Sequence, residues 1–214
     1  MLSERTRTTA GLLLMVASAL PLLFNLNRCS PRTDAATHAA IGAALAKSSL
    51  RLLGPGGKIV LITRNPSPSV EPAIATIIGS LQQTLKKSGH GIATTNVIQL
   101  DPLRLVKIPP GDLLELMRRL SENDAIISLM GPPSLNGAQI TKLGTARPKV
   151  VALCPGEIPL QIPLLELFER KLLHVAIISR RTSAPPGTRS SGSNFDQSFE
   201  LVTEQNFHEF FPAR

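Results

Sequence analysis

The chain of 214 residues has no tryptophan, no tyrosine and only seven phenylalanines. That scarcity argues against an aromatic carbohydrate cleft and against a base-stacking platform for nucleic acid. Cysteine is nearly absent too. Cys29 and Cys154 lie far apart and give neither a disulfide framework nor metal-ligand spacing. No cluster of His, Cys, Asp and Glu is spaced to hold a metal, so no metal site is expected. Charged residues are 18% of the chain and apolar residues 43%. It is therefore neither disordered throughout nor a polytopic membrane protein.

The net charge is +8, and its distribution matters more than its size. Residues 1–32 carry +3, residues 33–57 carry +1, residues 58–179 carry +4 and residues 180–214 carry none. A nucleic-acid binder concentrates its excess on one face, and this chain does not, so no nucleic-acid partner is expected. The tight pairs Lys86-Lys87 and Arg118-Arg119 fall late in predicted helices, where cations complement the helix dipole.

From Thr8 to Asn27 there is no charged residue, and the run is bounded by Arg7 and Arg28. Twenty helical residues rise about 30 Å, one hydrocarbon thickness. Pro21 would kink such a helix, which membrane helices tolerate. Three readings stand. Residues 8–27 are an uncleaved signal anchor; or the segment is a signal peptide cut after the small-x-small run Ala17-Ser18-Ala19; or Cys29 is acylated, as in a lipoprotein. Each sends the rest of the chain across a membrane. The basic residues before and after the run favour, by a narrow margin, an N-terminus inside. The expected location is the bacterial inner membrane, with a single span and the globular part in the periplasm. The alternative is release into the periplasm after cleavage.

Residues 30–56 read as a helical connector or stalk, closed by Gly54-Pro55-Gly56-Gly57. From Lys58 the pattern alternates. KIVLIT (58–63), GIATTNVIQL (91–100), DAIISLM (124–130), KVVALC (149–154) and HVAIIS (174–179) read as strands, most of them continuous apolar runs suited to a buried parallel sheet. Between the first two, Val70, Ile74, Ile77, Ile78, Leu81 and Leu85 share a helix face that Gly89 stops. Asp112 with Glu115 three residues on predicts a capping box for the next helix. Helices also follow around 135–145 and over LLELFERKLL (164–173). Residues 180–195 are expected as a mobile Ser/Gly/Pro loop, FELVTEQNF (199–207) as a sixth, edge strand, and 207–214 as a tail.

This order predicts an α/β domain over 57–206. Its sheet is doubly wound, mainly parallel and five- to six-stranded, in the flavodoxin-like order 2-1-3-4-5, behind the N-terminal membrane helix. Ligands of such sheets sit outside the carboxyl ends of the strands. That edge places Thr63, Arg64 and Asn65 after strand 1, Gly131 and Ser134 after strand 3, and Glu157 after strand 4 as ligand-binding candidates. Cys154 ends strand 4 with no histidine positioned to activate it, and reads as a small buried residue. His90 and His174 fall at the opposite edge. GPGGK (54–58) precedes its strand and lacks Walker spacing, so it reads as a turn, and no cofactor is expected.

The runs KIVLIT, AIATIIGSLQQTLKKSGHGIA, NDAIISLMG and RPKVVALC, in this order, resemble one lobe of the type I periplasmic binding proteins. These are the sugar-binding transport proteins and the ligand-binding halves of lac-repressor-type regulators. The resemblance covers about 120 of the 214 residues. It implies ligand capture in a cleft between two lobes, with Arg64 and Asn65 on the first ligand-facing loop and Ser134 on the third-strand loop. Only about 35 residues follow strand 5, so a second lobe is not expected from this stretch and a homo-oligomer would have to supply one. The leading expectation is a membrane-anchored, non-enzymatic binding domain for a small polar ligand or an envelope protein. Two alternatives stand beside it. One is a structural component of an envelope assembly, joined by strand addition at 199–207. The other is a hydrolase or transferase using Ser134, Cys154 or Glu157.

Overall fold

Strands that are apolar on both faces must be covered on both faces, and that requirement organises this chain. The structure is a computed structural model and describes residues 35–64, 72–99, 108–180 and 194–211. Its sheet contains β1 (Ile59–Arg64), β2 (Ile92–Ile98), β3 (Ala125–Ser128), β4 (Lys149–Cys154), β5 (Val175–Ser179) and β6 (Phe199–Thr203). The order is β2-β1-β3-β4-β5-β6. The first five are parallel, with Ile59 beside Ala125, Ala125 beside Lys149 and Val151 beside Val175. The order differs from the expected five-strand one by an added strand of reversed direction. β6 runs antiparallel to β5, with Phe199 opposite Ser179 and Thr203 opposite Val175. The chain re-enters the sheet at the end it left, so no crossover carries it back to the amino end.

Alternate residues of the central strands feed two separate cores. Leu61, Ile127, Val151, Leu153 and Ile177 face one side. There they meet Ile41, Leu45 and Ala46 of α1 (Ala35–Leu52) and Ile77, Leu81 and Leu85 of α2 (Pro72–Lys87). Ile62, Ile126, Val150, Ala152, Cys154 and Ala176 face the other. That side is closed by Leu113 and Met117 of α3 (Pro110–Arg118) and by Leu164, Leu167 and Phe168 of α6 (Leu164–Glu169). The remaining helices are short: α4 (Gly137–Leu143), α5 (Ile158–Gln161), α7 (Asn194–Ser198) and α8 (Phe207–Phe210).

Several expectations need correction. Much of the expected stalk is α1, and α1 belongs to the domain, with Leu45 and Ala46 fully buried. It lies so close to α2 that a Cβ at Gly42 would collide with the Ile77 carbonyl, and Ser80 Oγ donates to Ala39 O at 2.6 Å. Glycine is required there by backbone approach rather than by dihedral freedom. The box at Asp112 does not form, because α3 begins two residues earlier at Pro110 and Asp112 sits inside its first turn without a capping bond. The box forms instead on α4, where Asn136 Oδ1 accepts from Gln139 N–H and Gln139 Oε1 accepts from Asn136 N–H, both at 2.9 Å. The expected tail holds α8, where Phe207 is buried and stacks on Phe168 with centroids 5.3 Å apart. The end of the expected 180–195 loop starts α7. The helix over 164–173 stops early, at Glu169, and Lys171 takes a left-handed φ of 54°. The membrane span at 8–27, Cys29 and most of the 180–195 loop lie outside the described residues. Among the described residues no helix is long and apolar enough to cross a membrane.

Candidate functional site

The two ends of the sheet are built differently. At the amino end, Asp124 precedes β3 and is almost fully buried. Its Oδ1 accepts from Lys58 N–H at 2.7 Å, and its Oδ2 accepts from Ser121 N–H at 2.7 Å and Ser121 Oγ at 3.0 Å. Burial alone would raise its carboxyl pKa, but these donors, with the charge of Lys58, hold it below the usual value. The GPGGK turn is locked beside it. Gly54 N–H donates to Asn123 O at 2.9 Å, Gly56 takes a φ of 69°, and a Cβ on Gly57 would collide with the Asn123 carbonyl. His174, 5% exposed, accepts from Val150 N–H through Nδ1 at 3.1 Å. Burial, then Lys149 and Lys171, push its pKa down to about 4. Glu204, 3.8 Å from Nε2 and half-exposed, is too well solvated to reverse this. His174 is thus a neutral core group.

At the carboxyl end the expected ligand residues are spread over three loops. Thr63 is buried, and its Oγ1 donates to Arg64 O at 3.4 Å. Arg64 ends β1 half-buried, and Asn65 lies outside the described residues. After β3 the chain closes on itself. Ser128 Oγ donates to Gly131 O at 2.6 Å and accepts from Met130 N–H at 3.2 Å. Gly131, with a φ of 88°, is buried with Pro132 and Pro133, while Ser134 emerges half-buried. After β4, Glu157 is exposed at the start of α5 and makes no capping bond. Thr63 and Gly131 therefore shape the edge from within. Arg64, Ser134 and Glu157 are the described candidates that solvent reaches.

Cys154 is fully buried, and burial pushes its thiol pKa up to about 12. A thiol that does not ionise is not a nucleophile. Among the described residues no hydrogen bond joins Ser134, Cys154 or Glu157 to a histidine, and no group of three His, Cys, Asp or Glu could hold a metal.

A further opening lies on the other flank of the same edge, away from the six expected ligand residues. It is a cleft of about 870 Å³ bounded by α5, the start of α6, Ser179, Glu200, Phe210 and Phe211. Leu160 stands in it 63% exposed. The sequence signal was the doubled Ile-Pro-Leu at 158–160 and 162–164. Pro159 sits in the first turn of α5, where proline is tolerated, and Pro163 separates α5 from α6.

No family model matches the chain, and no curated protein matches it. Solved structures do. A periplasmic ribose ABC transporter protein from Conexibacter woesei superposes with a TM-score of 0.54 at 14% identity, covering 83% of this chain and 60% of its own. A sugar ABC transporter sugar-binding protein from Bacillus halodurans gives a TM-score of 0.50 at 10% identity, covering 81% of this chain and 64% of its own. This chain thus spans less than two thirds of the length of the structures it resembles. At these identities the likeness is one of fold. The described residues share the α/β fold of these sugar-transport binding proteins.

Proposed function

We propose that this chain is a non-enzymatic, extracytoplasmic binding domain that takes a small polar ligand at the carboxyl edge of β1, β3 and β4. The observation that carries the reading is the pairing of a periplasmic-binding-protein-like fold with an edge whose solvent-reached candidates are Arg64, Ser134 and Glu157. Those groups offer a cation, a hydroxyl and a carboxylate, which suit a polyhydroxylated molecule. Asn65, one residue beyond β1, joins them in this reading. The residues 8–27 anchor the domain to the inner membrane, and the domain faces the periplasm. A second copy of the chain, or a separate partner, supplies the opposing wall.

The test is native mass spectrometry of the full-length protein, purified gently from its own compartment, followed by calorimetric titration with a panel of pentoses and hexoses. Any shorter piece must keep α1, because its apolar face is core. A stoichiometric adduct that Arg64→Ala removes supports the reading, and its mass gives the ligand class. A clean apo mass together with no heat from any sugar overturns it and favours a structural role in the envelope.

A further inference from the structure

We infer that the outer surface of the sheet's amino end docks an extended polyanion, a chain of phosphate-type charges bound along its length and not by its repeat unit. The inference uses no residue of the carboxyl edge, so either site can fail alone.

The surface follows from topology. In a parallel sheet each covering helix runs back from the carboxyl end to the amino end, so helix C-termini and strand starts collect there. The cations of this chain fall on those two places. Lys58 precedes β1, Lys86 and Lys87 end α2, Arg118 ends α3, Lys149 opens β4 and Lys171 precedes β5. Among the described residues, Arg64 and Arg180 are the Lys and Arg of the carboxyl end. A charge excess that reads as thinly spread along the sequence is thus gathered by the fold. The helix dipole accounts for about half a charge at each C-terminus, and α2 alone carries two cations there.

The acids at this end do not cancel the cations. Asp124 is buried and spends its oxygens on Lys58 N–H and on Ser121. Glu115 and Glu166 pair with Arg119 and Arg170, one turn further along their helices. Glu204 lies 3.8 Å from His174, and Glu122 and Glu169 remain exposed. Lys86, Lys87, Arg118 and Lys171 are exposed and, among the described residues, make no ion pair. The buried groups of this end hold the sheet, and its exposed cations are left over.

The occupant follows from spacing and from what this end lacks. Strands lie about 4.8 Å apart, so from β2 to β5 the cations form a band about 20 Å long. A single anion covers one strand end, and a chain of anions covers the band. A protein interface needs an apolar core, and a surface that inserts into lipid needs an apolar wedge. The exposed large apolar side chains among the described residues are Val97 and Leu160, and both stand toward the carboxyl end. Charge is what the amino end has to offer, and the chain has no Trp or Tyr with which to stack a base.

The probe is long-chain linear polyphosphate, titrated calorimetrically into the full-length protein. The expected result is saturable binding that weakens about tenfold or more for a fourfold rise in salt. Lys86→Gln with Lys87→Gln at one side of the band, and Lys171→Asn at the other, each weaken it about threefold or more. Asparagine suits the left-handed φ of 54° at position 171. Arg180→Gln, at the opposite end, leaves binding unchanged. Tripolyphosphate, too short for the band, competes about tenfold less well at equal total phosphate. No saturable binding, or binding that neither amino-end variant weakens, overturns the surface. A loss from Arg180→Gln equal to that from the lysine pair also overturns it, because binding then follows net charge and not this end. Equal competition by tripolyphosphate overturns the extended occupant. A water-soluble acylating reagent, read by mass spectrometry, separates a polymer from a bilayer. In nanodiscs containing phosphatidylglycerol, Lys86 and Lys87 should stay reactive until polyphosphate is added. Their protection by the lipid alone overturns the polymer in favour of a lipid surface.

Discussion

The amino and carboxyl ends of the sheet carry similar numbers of loops but are built for opposite ends. At the amino end every buried polar group named above has a partner of opposite kind. Asp124 takes three hydrogen bonds, His174 takes one from Val150, and two glycines let the 54–57 turn press against Asn123. At the carboxyl end, among the described residues, polar and apolar groups face solvent with bonding capacity to spare: Glu157 without a cap, Glu200 with one oxygen unengaged, Leu160 without cover. Satisfied groups make stability and unsatisfied ones suit binding, so the first end holds the sheet and the second is the end to which the proposed function assigns the ligand.

That contrast breaks or sharpens on acid titration first, where the effect is largest. His174 has a folded pKa of about 4 against an ordinary value of 6.5. Between those values the unfolded chain binds the proton and the folded chain does not. Stability is therefore complete above about pH 6.5 and falls as the pH drops toward 4, by a total on the order of 3 kcal/mol. Urea unfolding at a series of pH values measures this. His174→Gln, which can still accept from Val150 N–H, should flatten the profile across that window. An unchanged slope in the variant would place the acid sensitivity elsewhere. Asp124 titrates lower. Its depressed pKa adds a further loss only as the pH falls below about 4.

Next in size is Asp124→Ala at neutral pH. It strands the backbone N–H groups of Lys58 and Ser121 at the one point where β1 and β3 enter the sheet together. The expected cost is about 2 kcal/mol, read as a lower urea midpoint at constant m. Asp124→Asn keeps one acceptor oxygen and should lose roughly half as much. Equal losses in the two variants would mean that packing, not hydrogen bonding, holds this end.

The strands were legible because burial on both faces leaves a signature no other element shares. KIVLIT, DAIISLM, KVVALC and HVAIIS all became strands, and the position of the carboxyl edge followed from their direction. Helix α1 was harder to read. Its buried face sets Ile41 and Leu45 among Thr37, Gly42, Ala46, Ser48 and Ser49, so small and polar residues interrupt the apolar stripe. The same composition serves an exposed stalk. The Asp112 box failed because Pro110 is itself a strong first-turn residue and starts the helix before aspartate can cap it. As for the site, a strand-end rule names loops but not which of them reach solvent. Thr63 and Gly131 obeyed the rule and were buried all the same. The cleft joins residues about 50 positions apart, from the Ile-Pro-Leu repeat to Phe210 and Phe211, and no local pattern links such pieces.

The smallest expected effect is the sharpest test of the contrast. Leu160→Ser removes a large apolar side chain, yet that chain is 63% exposed and contributes little burial to the folded state. Its stability should change by no more than about 0.5 kcal/mol. Glu157→Ala should leave the urea midpoint where it is, because the carboxylate caps nothing. Both substitutions lie on the end assigned to binding, so their silence in unfolding is what the assignment requires. A loss from Leu160→Ser comparable to that from Asp124→Ala would mean that Leu160 is covered in the folded chain. The cleft would then be part of the core, and the division between a holding end and a binding end would fail on the flank where it is drawn most strongly.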